Sequence, residues 1–376
     1  MMNEPLRGLQ VQSCISASGE LQLSLVEIAI PEPGPDQVVV RIEASPLNPS
    51  DLGLLLGPAD LSTMQATGSA GTRQLTAAVP ASRMAAMSGR IDQPLPVGNE
   101  GAGTVIKTGA KAQGLLGKRV GIFGGAMYAQ FRTLPARDCI VLPEGATVAD
   151  GASMFVNPLT ALAMVETLRR DGHRALVHTA AASNLGQMLA RICLADAIPL
   201  VNVVRNPSQV EILRAIGTPY VVDSSSADFR EALTSAVAET GATLCFDAIG
   251  GGTLANTILH AMEIAATRAS TTYSRYGSTT FKQLYVYGGL DKGPTSLDRG
   301  YGMSWGIGGF LVMHFLEKIG WEATLQLRDR VARELTTTFA SAYTKTISLA
   351  ELLMPEHVEA YARQATGEKY LLDPSR

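Results

Sequence analysis

Between residues 174 and 290 short apolar runs alternate with amphipathic stretches, and this rhythm restricts the chain to very few folds. Residues 175–179 read as a strand, after which Leu185, Met188, Leu189, Ile192 and Cys193 mark one face of a helix. Residues 200–204 form the next strand, and a helix from about Ser208 stops at Gly217. A third strand spans 220–222, and Phe229, Leu233 and Val237 line a helix ending at Gly241. Residues 244–246 form a fourth strand, Leu254, Ile258 and Met262 a further helix face, and 284–287 a fifth strand. Strands separated by helices need crossover connections, which require a parallel sheet covered on both faces. The expected class is α/β, with ligand at the carboxyl ends of the strands.

The first 145 residues are different in kind. Residues 21–28 and 38–44, then 103–108, 118–123, 128–134 and 139–142, are short β-type runs punctuated by glycine and proline, which suggests an antiparallel β domain. A length of 376 residues exceeds what one core serves, so two domains are expected. Residues 58–93, rich in small residues and carrying Arg73, Arg83 and Arg90, read as a long loop, either a functional lid or a mobile segment with solvated arginines. Residues 267–282 form a second irregular stretch.

A net charge of -3 gives no reason to expect nucleic acid or an anionic membrane as partner. Cys14, Cys139, Cys193 and Cys245 form no C-x-x-C pair, which argues for reduced cysteines in a cytoplasmic protein. Residues 1–12 lack the apolar core of a signal peptide, and the uncharged run 151–165 is too short for a membrane span. No membrane partner is expected.

The first strand-to-helix turn runs from His178 through Thr179, Ala180, Ala181, Ala182, Ser183, Asn184 and Leu185 to Gly186. Small residues at a helix N-terminus let backbone N–H groups approach a pyrophosphate. Two of the three glycines of G-x-G-x-x-G are absent, so a small-residue turn of any α/β fold is the competing reading. Where an NAD site would place an acid at the end of the second strand, this chain has Arg205. A guanidinium suits a 2′-phosphate, which favours NADPH over NADH, unless Arg205 is a solvated surface residue.

Several ordered segments resemble the medium-chain dehydrogenase/reductase superfamily. Leu47-Asn48-Pro49-Ser50-Asp51-Leu52 resembles its N-P-x-D segment, and Gly98-Asn99-Glu100-Gly101-Ala102-Gly103 its G-x-E-x-x-G segment. Asn157-Pro158-Leu159-Thr160-Ala161 is similar to the N-P-x-T-A entry into the cofactor domain. Asn202-Val203-Val204-Arg205 resembles the enoyl reductase branch, and Gly367-Glu368-Lys369-Tyr370-Leu371 the closing strand. The nearest branches are zinc-independent quinone oxidoreductases and mitochondrial-type enoyl thioester reductases. The resemblance implies a Rossmann-type domain at 158–342 and a GroES-like catalytic β domain formed by 1–157 with 343–376. The nicotinamide and substrate would lie in the cleft between them. It also implies a homodimer, or a tetramer, through an edge strand near 305–312, although a glycine-dotted apolar strand there fits an interior position equally.

Zinc-dependent relatives place cysteine and histidine where this chain has Leu47, Asn48 and Asn99, and the four-cysteine zinc loop is missing, so no metal is expected. Without a Lewis acid, hydride transfer to an electron-poor acceptor is the easiest chemistry, which points to NADPH-dependent reduction of a quinone or an α,β-unsaturated carbonyl. Enoyl-thioester reduction and non-catalytic NADPH binding are the alternatives. The first lacks its tyrosine after N-P-x-D, since residues 52–57 hold no aromatic.

The matches imply site residues. Asn48 would donate to a substrate oxygen, and Thr160 would bond near the nicotinamide. Asp51 would act in catalysis or, more simply, fix its loop through backbone hydrogen bonds. Tyr128 is either a cleft donor or a core aromatic. Residues 179–186 would wrap the pyrophosphate, Arg205 the 2′-phosphate, and Gly288 and Gly289 would admit the carboxamide.

Overall fold

A computed structural model describes residues 5–376, and the chain divides into two units: Met1–Val156 with Arg328–Arg376, and Asn157–Leu327. Residues 328–342, expected with the central unit, group with the terminal one. Arg328 anchors them there by donating to the carbonyl oxygens of Arg137 and Cys139 at 2.9 and 3.1 Å.

The terminal unit is built on two sheets. One runs in the order Asp60–Thr67, Gln74–Ala78, Glu20–Ala29, Arg7–Ile15, Leu95–Pro96. Strand alternation puts Leu21, Leu23 and Leu25 on the inner face. Residues 58–93 are therefore not the structureless loop their composition suggests. They supply two antiparallel strands, then the helical turns Ala81–Met84 and Ala85–Arg90. Only Leu75 and Ala77 of Gln74–Ala78 are buried, a signal too short and too small to register as a strand. Arg90 is half-buried and donates to Ser13 Oγ at 2.9 Å and to the Leu54 carbonyl at 3.0 Å.

The second sheet centres on Gln37–Pro46, which pairs with Glu100–Thr108, Phe131–Pro135 and the C-terminal strand Tyr370–Leu372. The end of the chain thus packs beside the strand that leads directly into Asn48.

The central unit carries a six-stranded parallel sheet: β1 (Leu176–His178), β2 (Leu200–Val204), β3 (Tyr220–Asp223), β4 (Leu244–Asp247), β5 (Lys282–Val286) and β6 (Trp305–Gly309). Their spatial order is β3-β2-β1-β4-β5-β6, so strand order reverses between β1 and β4, where such sheets bind ligand. Helices α1 (Asn184–Ala195), α2 (Pro207–Ile216), α3 (Phe229–Thr240) and α4 (Leu254–Arg268) make the crossovers. Gly217 and Gly241, both left-handed, end α2 and α3 as expected. Val177, Val201, Val203 and Leu284 pack on Leu233, Val237, Ile258 and Met262. The strand expected at 305–312 is shorter and lies at the sheet edge, because residues from Val312 form helix α5 (Val312–Ile319).

One charge lies inside this sheet. Lys282 on β5 is fully buried, and its ammonium meets Glu263 Oε2 at 2.5 Å, the Thr280 carbonyl at 2.9 Å and Ser278 Oγ at 3.0 Å. Burial alone would raise the Glu263 carboxyl. The Lys282 ammonium and the Ser278 donors hold it below its ordinary range. This cluster ties the irregular 267–282 stretch to α4. Removing one buried partner leaves the other unpaired, so Lys282→Met should cost about 3–5 kcal/mol in urea unfolding. The paired change Lys282→Met with Glu263→Leu should recover more than half of that loss; no recovery would show that packing, not charge pairing, is what was lost.

Candidate cofactor and active site

The β1–α1 turn lies at the reversal of strand order. Ala180 has φ +50°, a left-handed conformation rare for a residue with a Cβ, and its carbonyl accepts from Ser183 N. Ser183 is the N-cap of α1, its hydroxyl accepting from Gly186 N at 3.1 Å, so its side chain serves the helix. A Cβ at Gly186 would overlap the Ala181 carbonyl, so the one glycine retained from the fingerprint is the one that lets α1 pack on the turn. Ala181, Ala182 and Leu185 are buried, and Asn184 opens the helix.

Thr179, expected among the pyrophosphate contacts, commits its hydroxyl within the sheet. Its hydroxyl donates to Asp247 Oδ1 at 2.7 Å and accepts from Ala248 N at 2.8 Å, which locks the ends of β1 and β4 together. Asp247, fully buried, also accepts from Ile249 N and Gly250 N. Gly288 has a related duty, since a Cβ there would press on Ala248, whereas Gly289 is open. Val286, Tyr287, Gly288, Gly289, Gly309, Phe310, Leu311 and His314 line an open recess of about 560 Å³ beyond β5 and β6.

Arg205 sits just past β2, exposed, with its backbone N–H donating to Gln209 Oε1. Among the described residues its guanidinium has no carboxylate partner, so it is available to an external anion. Behind the turn, His178 is fully buried on β1 with Nε2 2.8 Å from the Tyr287 hydroxyl. Burial pushes its imidazole down to about 3.

In the terminal unit the predicted residues gather around one carboxylate that the motif match did not single out. Glu100, fully buried, accepts from Asn48 Nδ2 at 2.8 Å and from Phe155 N and Val156 N at 2.8 and 2.9 Å. Its carboxyl is raised by burial, with these donors and the Lys369 ammonium opposing the shift. The Asn48 amide, expected to donate to a substrate, is thus committed to Glu100; its Oδ1 is buried without a partner. Asp51 accepts from Asn48 N at 2.8 Å and Asn99 N at 2.9 Å, holding two segments together. Burial, reinforced by Glu100, pushes it up to about 7 despite those bonds.

Tyr128 is a core residue: it is fully buried, and its hydroxyl donates to the Pro46 carbonyl at 3.2 Å. It cannot serve as a donor to substrate. Lys369 Nζ donates to Ser153 Oγ at 2.8 Å, and burial lowers its ammonium to about 8. Thr160, in the helix Val156–Arg170 of the central unit, is buried. Among the described residues no three His, Cys, Asp or Glu side chains gather as a metal site would require, and no helix is long and apolar enough to cross a membrane.

No family model matches the chain. It is similar to the synaptic vesicle membrane protein VAT-1 homolog of Rattus norvegicus, 27% identical over 227 residues, which cover 59% of this chain and 48% of that protein. It is also similar to the mitochondrial enoyl-acyl-carrier-protein reductase of Caenorhabditis elegans, 26% identical over 199 residues, 52% of this chain and 49% of that one. Each match spans about half the length of the curated relative. A candidate NADPH:quinone reductase of Mesorhizobium loti superposes with a TM-score of 0.73 over 99% of this chain and 100% of its own, at 23% identity. The fold is the one shared by quinone-reductase-like medium-chain dehydrogenase/reductase structures. The superfamily's parallel sheet and its β-rich unit, closed by the last strand, are both present, as the ordered segments imply.

The buried imidazole gives a pH signature. Between about pH 6.5 and 3 the unfolded chain takes up a proton at His178 that the folded chain refuses, so stability falls as pH falls through that window. His178→Gln should remove this contribution. Relative to the variant, the parent should lose about 2 kcal/mol in urea unfolding between pH 7 and pH 5. Parallel pH profiles would show that His178 is not held neutral.

Proposed function

We propose that this chain is an NADPH-dependent, zinc-independent oxidoreductase that reduces a quinone or an α,β-unsaturated carbonyl. The observation that carries the reading is the exposed, unpaired Arg205 guanidinium just past β2, beside a helix N-terminus that only Gly186 lets approach the turn. A 2′-phosphate fits a fork of donors free of competing carboxylates. Residues 180–186 would hold the pyrophosphate at the positive end of α1, and Gly289 leaves open space for a carboxamide. NADPH, when bound, supplies the hydride.

The chain's own residues hold and orient. Asp247 and Thr179 fix the floor of the cofactor turn. Glu100, Asn48 and Asp51 fix the N-P-x-D and G-x-E-x-x-G segments, and Thr160 is the side chain assigned to the nicotinamide side. Nothing in the buried network holds a Lewis acid's ligands, because Asn48 and Asn99 stand where zinc-dependent relatives have stronger donors. An acceptor whose developing oxyanion is delocalised by conjugation suits such a site. The four free cysteines fit a reducing compartment, and we place the protein in the cytoplasm. We assign a homodimer through β6, whose outer edge carries no strand among the described residues and is flanked by exposed Phe281, Met303 and Ile307.

Enoyl-thioester reduction is the second reading, favoured by the reductase relative of C. elegans and opposed by the lack of any aromatic in residues 52–57. NADPH oxidation followed against quinones, simple enones and an enoyl-CoA, with and without chelator, separates the two. Turnover of quinones or enones, insensitive to chelator, is expected; preference for the thioester or dependence on added zinc would overturn the assignment. Arg205→Ala should weaken NADPH binding about 10–100-fold and leave NADH binding nearly unchanged, the range expected for lost charge-assisted bonds. Equal losses for both cofactors would remove Arg205 from the 2′-phosphate.

A further inference from the structure

The His178–Tyr287 pair has a use that neither sheet packing nor the cofactor turn explains. The rings stack with centroids 5.7 Å apart, and a hydrogen bond of 2.8 Å joins Nε2 to the phenolic oxygen. His178 Nδ1 is buried and has no partner. Imidazole kept neutral by burial carries one proton on one of its two nitrogens. If Nδ1 carried it, a buried N–H donor would stand unpaired, which is rare in folded proteins. If Nε2 carries it, only a lone pair is left unmatched, a smaller penalty. Nε2–H therefore donates to the tyrosine oxygen.

The consequence falls on Tyr287. Its oxygen is already an acceptor from His178, and the hydroxyl has no second protein partner among the described residues. Burial, with the nearby Asp247 carboxylate adding to it, pushes the phenol above its ordinary range, so the proton stays on. Tyr287 also lines the recess beyond β5 and β6, next to Gly288 and Gly289. We propose that Tyr287 is a hydrogen-bond donor to a carbonyl oxygen bound in this recess, and that His178 is the positioning residue that turns its proton outward. The shared chemistry is a carbonyl, either the nicotinamide carboxamide or the acceptor's own. The inference rests on the functional reading above only for which of these oxygens arrives.

Three measurements test it. Histidine ¹⁵N spectra of the full chain should show His178 as the neutral Nε2–H tautomer at pH 7, and an Nδ1–H tautomer overturns the proposal whatever the protein binds. Fluorescence titration with NADPH alone, then KM for a quinone, distinguishes the two oxygens. Tyr287→Phe should raise either the NADPH dissociation constant or the quinone KM about 3–10-fold, with thermal unfolding unchanged within a few degrees. His178→Leu should reproduce that loss, and His178→Gln, whose amide can still donate to the phenol, should restore most of it. Tyr287→Phe indistinguishable from the parent in both titrations, or equal losses in His178→Leu and His178→Gln, overturns the proposal. A parent chain that binds no NADPH while showing the Nε2–H tautomer overturns the functional reading instead, and the quinone titration alone then decides Tyr287.

Discussion

A single buried carboxylate sets the geometry of the terminal unit. Glu100 has no solvent contact, and three donors from two separate stretches of chain converge on its two oxygens: the Asn48 amide and the adjacent backbone N–H groups of Phe155 and Val156. A buried anion is tolerated only when its lone pairs are matched and a counter-charge is near. Lys369, just before the last strand, supplies the charge. The Asn48 segment and the backbone at Phe155 and Val156 are thereby held by one group, with Lys369 close by. Displacing any of them would leave that group uncompensated.

The central unit solves a matching problem with a different acid. Asp247 closes β4 by accepting from the Thr179 hydroxyl and from the backbone N–H groups of Ile249 and Gly250, so the ends of β1 and β4 cannot splay. Where a parallel sheet changes strand order, the adjoining loops part and open a crevice. Rigidity at its floor comes from this clamp, not from the loops themselves.

The βα rhythm was legible because each strand and helix is long enough for its period to show, and Gly217 and Gly241 punctuate it. Arg205 could be singled out because the end of the second strand has a chemical meaning, and its role remains part of the proposal. Tyr128 was not: a motif match cannot tell whether a phenol ends in a core, and only the tertiary position of Pro46 decides it. Asn48 was assigned to substrate for the same reason, since its partner Glu100 lies 52 residues away. Thr179 and Ser183 looked like phosphate-contacting small residues, yet one closes a strand end and the other caps a helix. His178 and Tyr287, 109 residues apart, meet only once β4 is laid between them. Residues 58–93 hid their strands behind alanine, serine and threonine, whose pattern is too faint to read.

Those two strands alter what the first sheet offers to its surroundings. Glu20–Ala29 becomes an interior strand, and the outer rim passes to Asp60–Thr67. Opposite Gln74–Ala78 its register slips between Asp60 and Gln65, and the slack folds into a tight polar knot in which Asp60 Oδ1 takes Ser62 N and Thr63 Oγ1 takes Ala78 N. A rim interrupted in this way, with mostly exposed side chains, gives a foreign strand no continuous ladder to extend. The insertion thus acts as a selvedge: it finishes the sheet so that the fabric cannot be continued from that side.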